Sequence, residues 1–278
     1  MPSPILTVDV EEWFHVCGDP RYARPEAWEV LPSRVVPCVE KVLGLLDGTG
    51  SSATFFVLGW VARRHPEVVR SIVAAGHEVA SHGDLHRRIY ETPLAAFRED
   101  VRRSRGTLEE LTGKPVTAYR APEWSMRSAS DPGLAVLVEE GFTLDSSLVA
   151  APPIGELSNP LRPTVLATAS GPILEVPPLQ GSFFFRPALL GGGVCSRLSR
   201  AGRIERLIQQ ELAEGGSPVL YLHPWELDDD HPPMHLSLLG RLVHFGGRQR
   251  TGPRLAALLR TYRLAPISSV LADRKAAA

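Results

Sequence analysis

Apolar residues keep two rhythms along this chain, and the switches between them predict the order of its elements. Pro4 to Val10 is a short apolar run with β-branched residues, the pattern of a buried strand. From Arg34 to Asp47 the period lengthens, with Val35, Val36, Val39, Val42, Leu43 and Leu46 at helical spacing. SSATFFVLG predicts a second strand. Pro66 then opens a helix at a tolerated first-turn position and Gly76 closes it, with Val69, Ile72 and Val73 inward. HEVASHG predicts a third strand. Thr92 is placed to cap the next helix, whose apolar stripe is Leu94, Phe97, Val101, Leu108 and Leu111, and Gly113 ends it. VTAYRAP predicts a fourth strand, followed by a helix from Leu134 to Glu140 and a strand from Phe142 to Leu144.

This alternation predicts a parallel sheet, open or closed. The segment from Ala150 to Pro172 is rich in Pro and aperiodic, so it reads as a long loop. Strand signals return at Pro172 to Val176 and Gly181 to Phe185, then a helix at Ile204 to Ala213, the strand PVLYLH, and a helix from Arg254 to Tyr262 before a short apolar end through Val270. The run Gly191-Gly192-Gly193 reads as a turn rather than a phosphate cradle.

Composition narrows the function classes. The 278 residues carry 30 Lys+Arg against 31 Asp+Glu, a net charge of −1, which argues against nucleic-acid binding through a broad basic surface. Hydrophobic residues at 44% and charged residues at 22% are ordinary for a folded domain and exclude dominant disorder. Cys17, Cys38 and Cys195 form neither a CxxC pattern nor a disulfide framework, which fits a reducing compartment. No stretch approaches the roughly 18 apolar residues of a membrane span, and MPSPILTVDVEEW lacks the marks of a signal peptide. The expectations are no membrane span, no nucleic-acid partner and a cytoplasmic location, with ADRKAAA at the end a frayed tail.

Ionisable residues cluster at the predicted strand ends. Asp9, Glu11 and Glu12 end the first strand; His82 and His86 follow the third; Arg120 and Glu123 follow the fourth; Asp145 follows the fifth; His223, Trp225 and Glu226 follow PVLYLH. In a parallel α/β fold those ends share one side, where ligand sites form. SHGDLH sets two imidazoles four residues apart, as a metal needs, and a carboxylate is a usual third ligand. VDVEEW can supply it: Asp9 and Glu11 share a strand face, so one can bind the metal while the other accepts a proton. Asp9 can equally be a structural partner of Arg120, and the two roles are compatible.

The ordered set VDVEEW, SHGDLH, YRAPEW, LDSSL and YLHPWE resembles the five motifs of the polysaccharide deacetylase (NodB homology) family, from about residue 5 to 230. LYLHPWELD and HFGGRQRTGPRLAALLRTYRLAPI are similar to the subgroup that accompanies bacterial exopolysaccharide and exosortase loci. The resemblance implies a distorted (β/α) barrel of about seven parallel strands, one domain over residues 1–278 with a C-terminal extension at 231–278. It implies a hydrolase that uses a divalent metal, Zn2+ foremost, to remove N-acetyl groups from a hexosamine-containing glycan or its precursor. Related cores act on cyclic ureides and other small amides, and a catalytically inactive glycan-binding module is a further alternative.

Residue by residue, the resemblance implies Asp9 as general base, His82 and His86 as metal ligands, and Arg120 as the residue holding the base. The family's second aspartate is replaced by Val10, so Glu11 takes the ligand place, with Glu12 the fallback. Pro122-Glu123 replaces a proline–tyrosine pair whose backbone N–H contributes to oxyanion stabilisation. His223 matches the acid histidine and Asp145 the aspartate that orients it. Trp13, Glu123, Trp124 and Trp225 are the candidate substrate contacts, since aromatic rings stack on sugar faces. His77 reads as structural, His15 as a residue that approaches the site from the first loop, and His231, His235 and His244 as surface or rim residues.

Overall fold

In the first strand, β1 (Ile5–Val10), Leu6, Val8 and Val10 join the large core cluster beside the helices, while Ile5 belongs to a second cluster inside the sheet's curl. A strand turns successive side chains to opposite faces, so Ile5, Thr7 and Asp9 share the inner one. The same parity sets Phe56 on β2 (Thr54–Val57), Ala80 on β3 (Glu78–Ser81), Ala118 on β4 (Ala118–Tyr119) and Leu144 on β5 (Leu144–Asp145) into that inner cluster. The inner lining is apolar towards the strand starts and polar towards their carboxyl ends.

This computed structural model describes residues 2–271; the expected tail at 272–278 lies outside the described residues. Five further strands follow: β6 (Thr164–Thr168), β7 (Gly171–Glu175), β8 (Gln180–Phe183), β9 (Arg186–Leu189) and β10 (Val219–Leu222). Among the described residues the main sheet has eight strands in the order β10-β1-β2-β3-β4-β5-β7-β6. Seven are mutually parallel, and β6 runs antiparallel to β7, giving the expected α/β distorted barrel. β8 and β9 form a separate hairpin. The outer edge of β10 is covered by irregular chain: Leu179 donates to Val219 O at 2.8 Å and Tyr221 to Gly191 O at 3.0 Å. Gly191 and Gly192 make this possible, because a Cβ on either would stand 2.5 and 2.1 Å from the carbonyl oxygens of β10. The triglycine is thus a close approach of two backbones.

The helices are α1 (Pro25–Trp28), α2 (Val35–Leu46), α3 (Gly59–Arg64), α4 (Pro66–Ala74), α5 (Leu94–Thr112), α6 (Pro132–Glu139), α7 (Gly193–Leu198), α8 (Ala201–Ala213), α9 (Leu238–Phe245) and α10 (Thr251–Thr261). No helix among the described residues is long and apolar enough to cross a membrane. Several expectations change. Pro93, not Thr92, is the N-cap of α5, and the Thr92 hydroxyl donates back to Arg88 O at 2.8 Å. Leu94 is exposed, so the buried stripe begins at Phe97, and Gly113 ends the helix in the left-handed conformation at φ 64°. The Pro-rich stretch expected as a loop contains β6. The chain beyond residue 231 adds α9 and α10 and sends Ile267 and Val270 into the inner cluster, with Ala265 bridged to Ile5.

Candidate metal and catalytic site

The inner face that is apolar at Ile5 becomes ionic at Asp9. Arg120, which follows β4, is fully buried and donates from Nη1 to Asp9 Oδ1 at 2.8 Å and to Thr7 Oγ1 at 2.7 Å. Its Nε donates to Ser146 O at 3.1 Å and its Nη2 to Ser146 Oγ at 2.9 Å. The guanidinium lies 4.2 Å from the ring centre of Phe56 and 4.7 Å from that of Trp124. Such a charge is tolerated out of water only with its partners in place.

Next to this pair stand Glu11, His82 and His86, all buried, with one donor atom of each within 4.8 Å of the others. Glu11 Oε2 lies 2.7 Å from His86 Nε2 and 3.7 Å from His82 Nε2. His82 Nδ1 is 2.9 Å from Arg120 O, so this nitrogen carries the proton and donates, leaving the Nε2 lone pair directed at the triad. His86 Nδ1 faces Cys17 Sγ at 3.4 Å. The Trp225 indole N–H donates to Glu11 Oε1 at 3.1 Å. Two imidazole nitrogens and one carboxylate oxygen, each ligand side chain held from behind, fit a divalent cation. Burial would raise the Glu11 pKa, but the positive charge of His86 and His223 outweighs it and holds the group well below its usual value.

Just past the end of β1 the two glutamates part. Glu12 accepts the backbone N–H of Arg34 at 2.9 Å and of Val35 at 3.3 Å, together with the Ser33 hydroxyl, and so caps the start of α2. The fallback ligand is therefore a capping residue.

His223 follows β10, with Nε2 4.0 Å from Asp9 Oδ2 and 3.7 Å from Glu11 Oε1. Its orientation corrects the expected role of Asp145. His223 Nδ1 bonds Glu226 Oε1 at 2.9 Å, whereas Asp145 Oδ1 accepts the Ser147 hydroxyl at 2.6 Å. Asp145 stands opposite Glu175 in the sheet register, four strands from β1 in the sheet order, and it does not reach His223. Burial raises the Asp145 pKa to about 6, and burial plus the neighbouring Asp145 raises that of Glu175 well above its usual value. For His223 burial lowers the pKa, but Glu11 and Glu226 more than reverse it, so the imidazolium is favoured.

The four candidate substrate contacts separate too. Trp13 is a core residue: it is 3% exposed, donates to Pro32 O at 2.9 Å and packs edge-on against Phe14 and Tyr22. Trp124 is buried against Arg120 and Tyr221. Trp225 is at the site, but it orients Glu11 and stacks on His223 at 5.1 Å. Neither Trp13 nor Trp124 presents an open ring to a sugar. Glu123 accepts the Cys17 N–H at 3.0 Å and pairs with Arg88 at 2.6 Å, tying down the loop after β1. Glu123 and Trp124 hold left-handed backbone at φ 51° and 56°, an uncommon conformation for such residues.

His15 is buried, stacks on His86 at 5.7 Å, and accepts the Glu12 N–H through Nδ1 at 3.1 Å. Burial holds it neutral. His244, expected at the rim, is buried and lies flat on Trp225 at 4.0 Å and 5°, with its pKa pushed down to about 3, chiefly by burial. Glu226, Arg197 and Thr251 carried no assigned role in the sequence. The spacing of His223 and Glu226 offers one: a residue that precedes a helical turn and an acid three positions on form a reciprocal cap.

Residues 30–137 match the family described as polysaccharide deacetylase, and residues 146–272 match a domain of unknown function (DUF3473). The chain is similar to the peptidoglycan deacetylase of Helicobacter pylori, 34% identical over 115 residues, which are 40% of this chain and 37% of that protein. It is similar to the chitooligosaccharide deacetylase of a Bradyrhizobium species, 38% identical over 64 residues, 23% of this chain and 29% of that one. The matched stretches thus span well under half of these relatives. A crystal structure of a candidate polysaccharide deacetylase from Mycobacterium smegmatis superposes with a TM-score of 0.62 at 25% identity, over 99% of this chain and 91% of the other.

Proposed function

We propose, from the premise that the chain carries a polysaccharide deacetylase family region at residues 30–137, that it hydrolyses N-acetyl groups on a hexosamine-containing glycan. The observation that carries this reading is that the Asp9 carboxylate and the Glu11 ligand both come within 4.0 Å of His223 Nε2. The bound ion, which we take to be Zn2+ from the two-nitrogen, one-oxygen donor set, would polarise the amide carbonyl and acidify water. Glu11, His82 and His86 would hold it.

Asp9 takes the proton from the attacking water, and Arg120, itself held by Thr7, keeps its carboxylate in place. The backbone at Glu123 supplies an N–H to the oxygen of the tetrahedral intermediate. His223 delivers a proton from Nε2 to the leaving nitrogen, so the amide and water become acetic acid and an amine, and the proton left on Asp9 passes back to His223 to reset the site. A positioned acid or base of this kind contributes about 10²–10⁴-fold.

The names of the relatives, peptidoglycan deacetylase and chitooligosaccharide deacetylase, support a glycan. We extend this to an exopolysaccharide or its precursor, from the resemblance of LYLHPWELD and the stretch behind it. The test is acetate release from N-acetylated chitooligosaccharides and exopolysaccharide fragments by Zn2+-loaded protein, with a cyclic ureide as control. Acetate release that vanishes in Asp9→Asn supports the reading. Turnover of the ureide alone would reassign the protein to small amides, and turnover of neither would leave a glycan-binding module.

A further inference from the structure

We infer that Glu226 is the residue that positions His223, and that the region matched to a domain of unknown function carries the proton-donating half of the active site. The inference rests on the deacetylase reading for the meaning of His223 and on geometry for the rest. His223 precedes a single 3-10 turn, Pro224–Leu227, and Glu226 is its third residue. This turn folds the carboxylate back on the histidine, with Oε1 2.9 Å from Nδ1 and 3.4 Å from the His223 backbone nitrogen.

The other oxygen is held as firmly. Glu226 Oε2 accepts the Thr251 hydroxyl at 2.8 Å and lies 3.3 Å from Arg197 Nη1. Glu226 is 3% exposed and Arg197 4%, so water does not substitute for these partners. An ionised carboxylate only accepts, so it fixes the proton on Nδ1 and directs Nε2 towards Asp9 and Glu11. Trp225 stacks on one face of the ring and Tyr221 meets it edge-on, which removes the remaining rotation.

All the parts of this frame share one origin. Arg197, Tyr221, His223, Trp225, Glu226 and Thr251 lie within residues 146–272. His82, His86 and Arg120 lie within residues 30–137, and Asp9 and Glu11 precede both stretches. Because β10 pairs directly with β1, the second region is built into the same sheet and brings its histidine to the first region's ligands. Its function is to complete the site, and Glu226 does there what Asp145 does not.

The test uses full-length, metal-loaded protein carrying Glu226→Gln, Glu226→Ala, Thr251→Val or Asp145→Asn. We expect Glu226→Gln to lower kcat on an N-acetyl amide by about 10²-fold or more with KM within about twofold, and to lower it less on an aryl acetate ester, whose leaving group needs little protonation. Thr251→Val should show a smaller loss of the same kind, and Asp145→Asn should stay within about threefold of the parent in kcat. The second measurement is independent of turnover: 15N NMR of the His223 ring should show protonated Nδ1 in the parent and loss of that preference in Glu226→Ala. If the parent releases no acetate but shows the Nδ1–H signature, the deacetylase reading fails and the positioning role stands. An unchanged His223 spectrum in Glu226→Ala, or equal kcat losses in Glu226→Gln and Asp145→Asn, overturns the positioning role.

Discussion

The indole of Trp225 donates to Oε1 of Glu11 at 3.1 Å, which leaves Oε2 facing His86 at 2.7 Å. One bond therefore decides which oxygen a cation meets. Partners behind a ligand typically contribute 10–100-fold in metal affinity. Trp225→Phe keeps a ring against His223 and His244 but removes the donor. We expect its Zn2+ affinity, measured by competition with a chelator, to fall about 10–100-fold with the fold retained. An unchanged affinity would mean that Glu11 orients itself.

Glu11 and Glu12 are adjacent in sequence and opposite in function. Glu11→Ala and His86→Ala should lose the ion on dialysis, as followed by elemental analysis. Glu12→Ala should retain it and instead lose about 1–3 kcal/mol of stability, because two amides at the start of α2 lose their acceptor. Metal loss in Glu12→Ala without unfolding would reverse the assignment.

Asp9 and Arg120 form a buried pair at 2.8 Å, with side chains 3% and 0% exposed. Removing one charge strands the other, at about 3–5 kcal/mol. Arg120→Met and Asp9→Asn should each destabilise the protein in urea, and the double variant should cost less than their sum by more than about 0.5 kcal/mol. Simple additivity would show that the two charges are not coupled.

Much of this site was readable from the chain. The two-residue period of β1 already places Thr7 and Asp9 on one face, and the apolar runs locate each parallel strand. What stayed hidden has physical causes. β6 turns Thr164, Val165 and Ala167 to solvent, so no burial period marks it inside a Pro-rich stretch. The hairpin of β8 and β9 carries exposed Phe184 and Phe185 at its turn, where the sequence pattern extends the strand to Phe185. Trp13 follows a catalytic strand, where a sugar platform is expected; only the packing of Phe14 and Tyr22 around it shows a core residue. The motif resemblance points to Asp145, whereas the turn geometry of HPWE brings the nearer acid, Glu226, onto His223.

Asp145 and Glu175 give the last prediction. They are register partners on β5 and β7, both 0% exposed, and among the described residues Asp145 Oδ2 and Glu175 Oε2 have no hydrogen-bond partner. Two carboxylates there cannot both ionise, so one proton held between them supplies the missing donor. Both folded-state pKa values lie above the ordinary ones, that of Asp145 at about 6. A raised value means that the folded protein binds the proton more tightly than the unfolded chain. The stabilisation is thus complete below about pH 4; the Asp145 share is lost as pH rises through about 6 and the Glu175 share as pH rises through its own raised value, by at most about 1.4 kcal/mol per pH unit for each proton. Glu175→Gln keeps an oxygen for the Leu148 amide, now at 3.1 Å from Glu175, and offers Asp145 an amide donor. The proton that burial and Asp145 hold on Glu175 is then absent, and only the Asp145 share of the pH dependence remains. Urea unfolding between pH 5 and pH 8 should show the parent losing stability with rising pH and Glu175→Gln losing less, so that the variant is the more stable at pH 8. Parallel pH curves for the two proteins would show that the pair shares no proton.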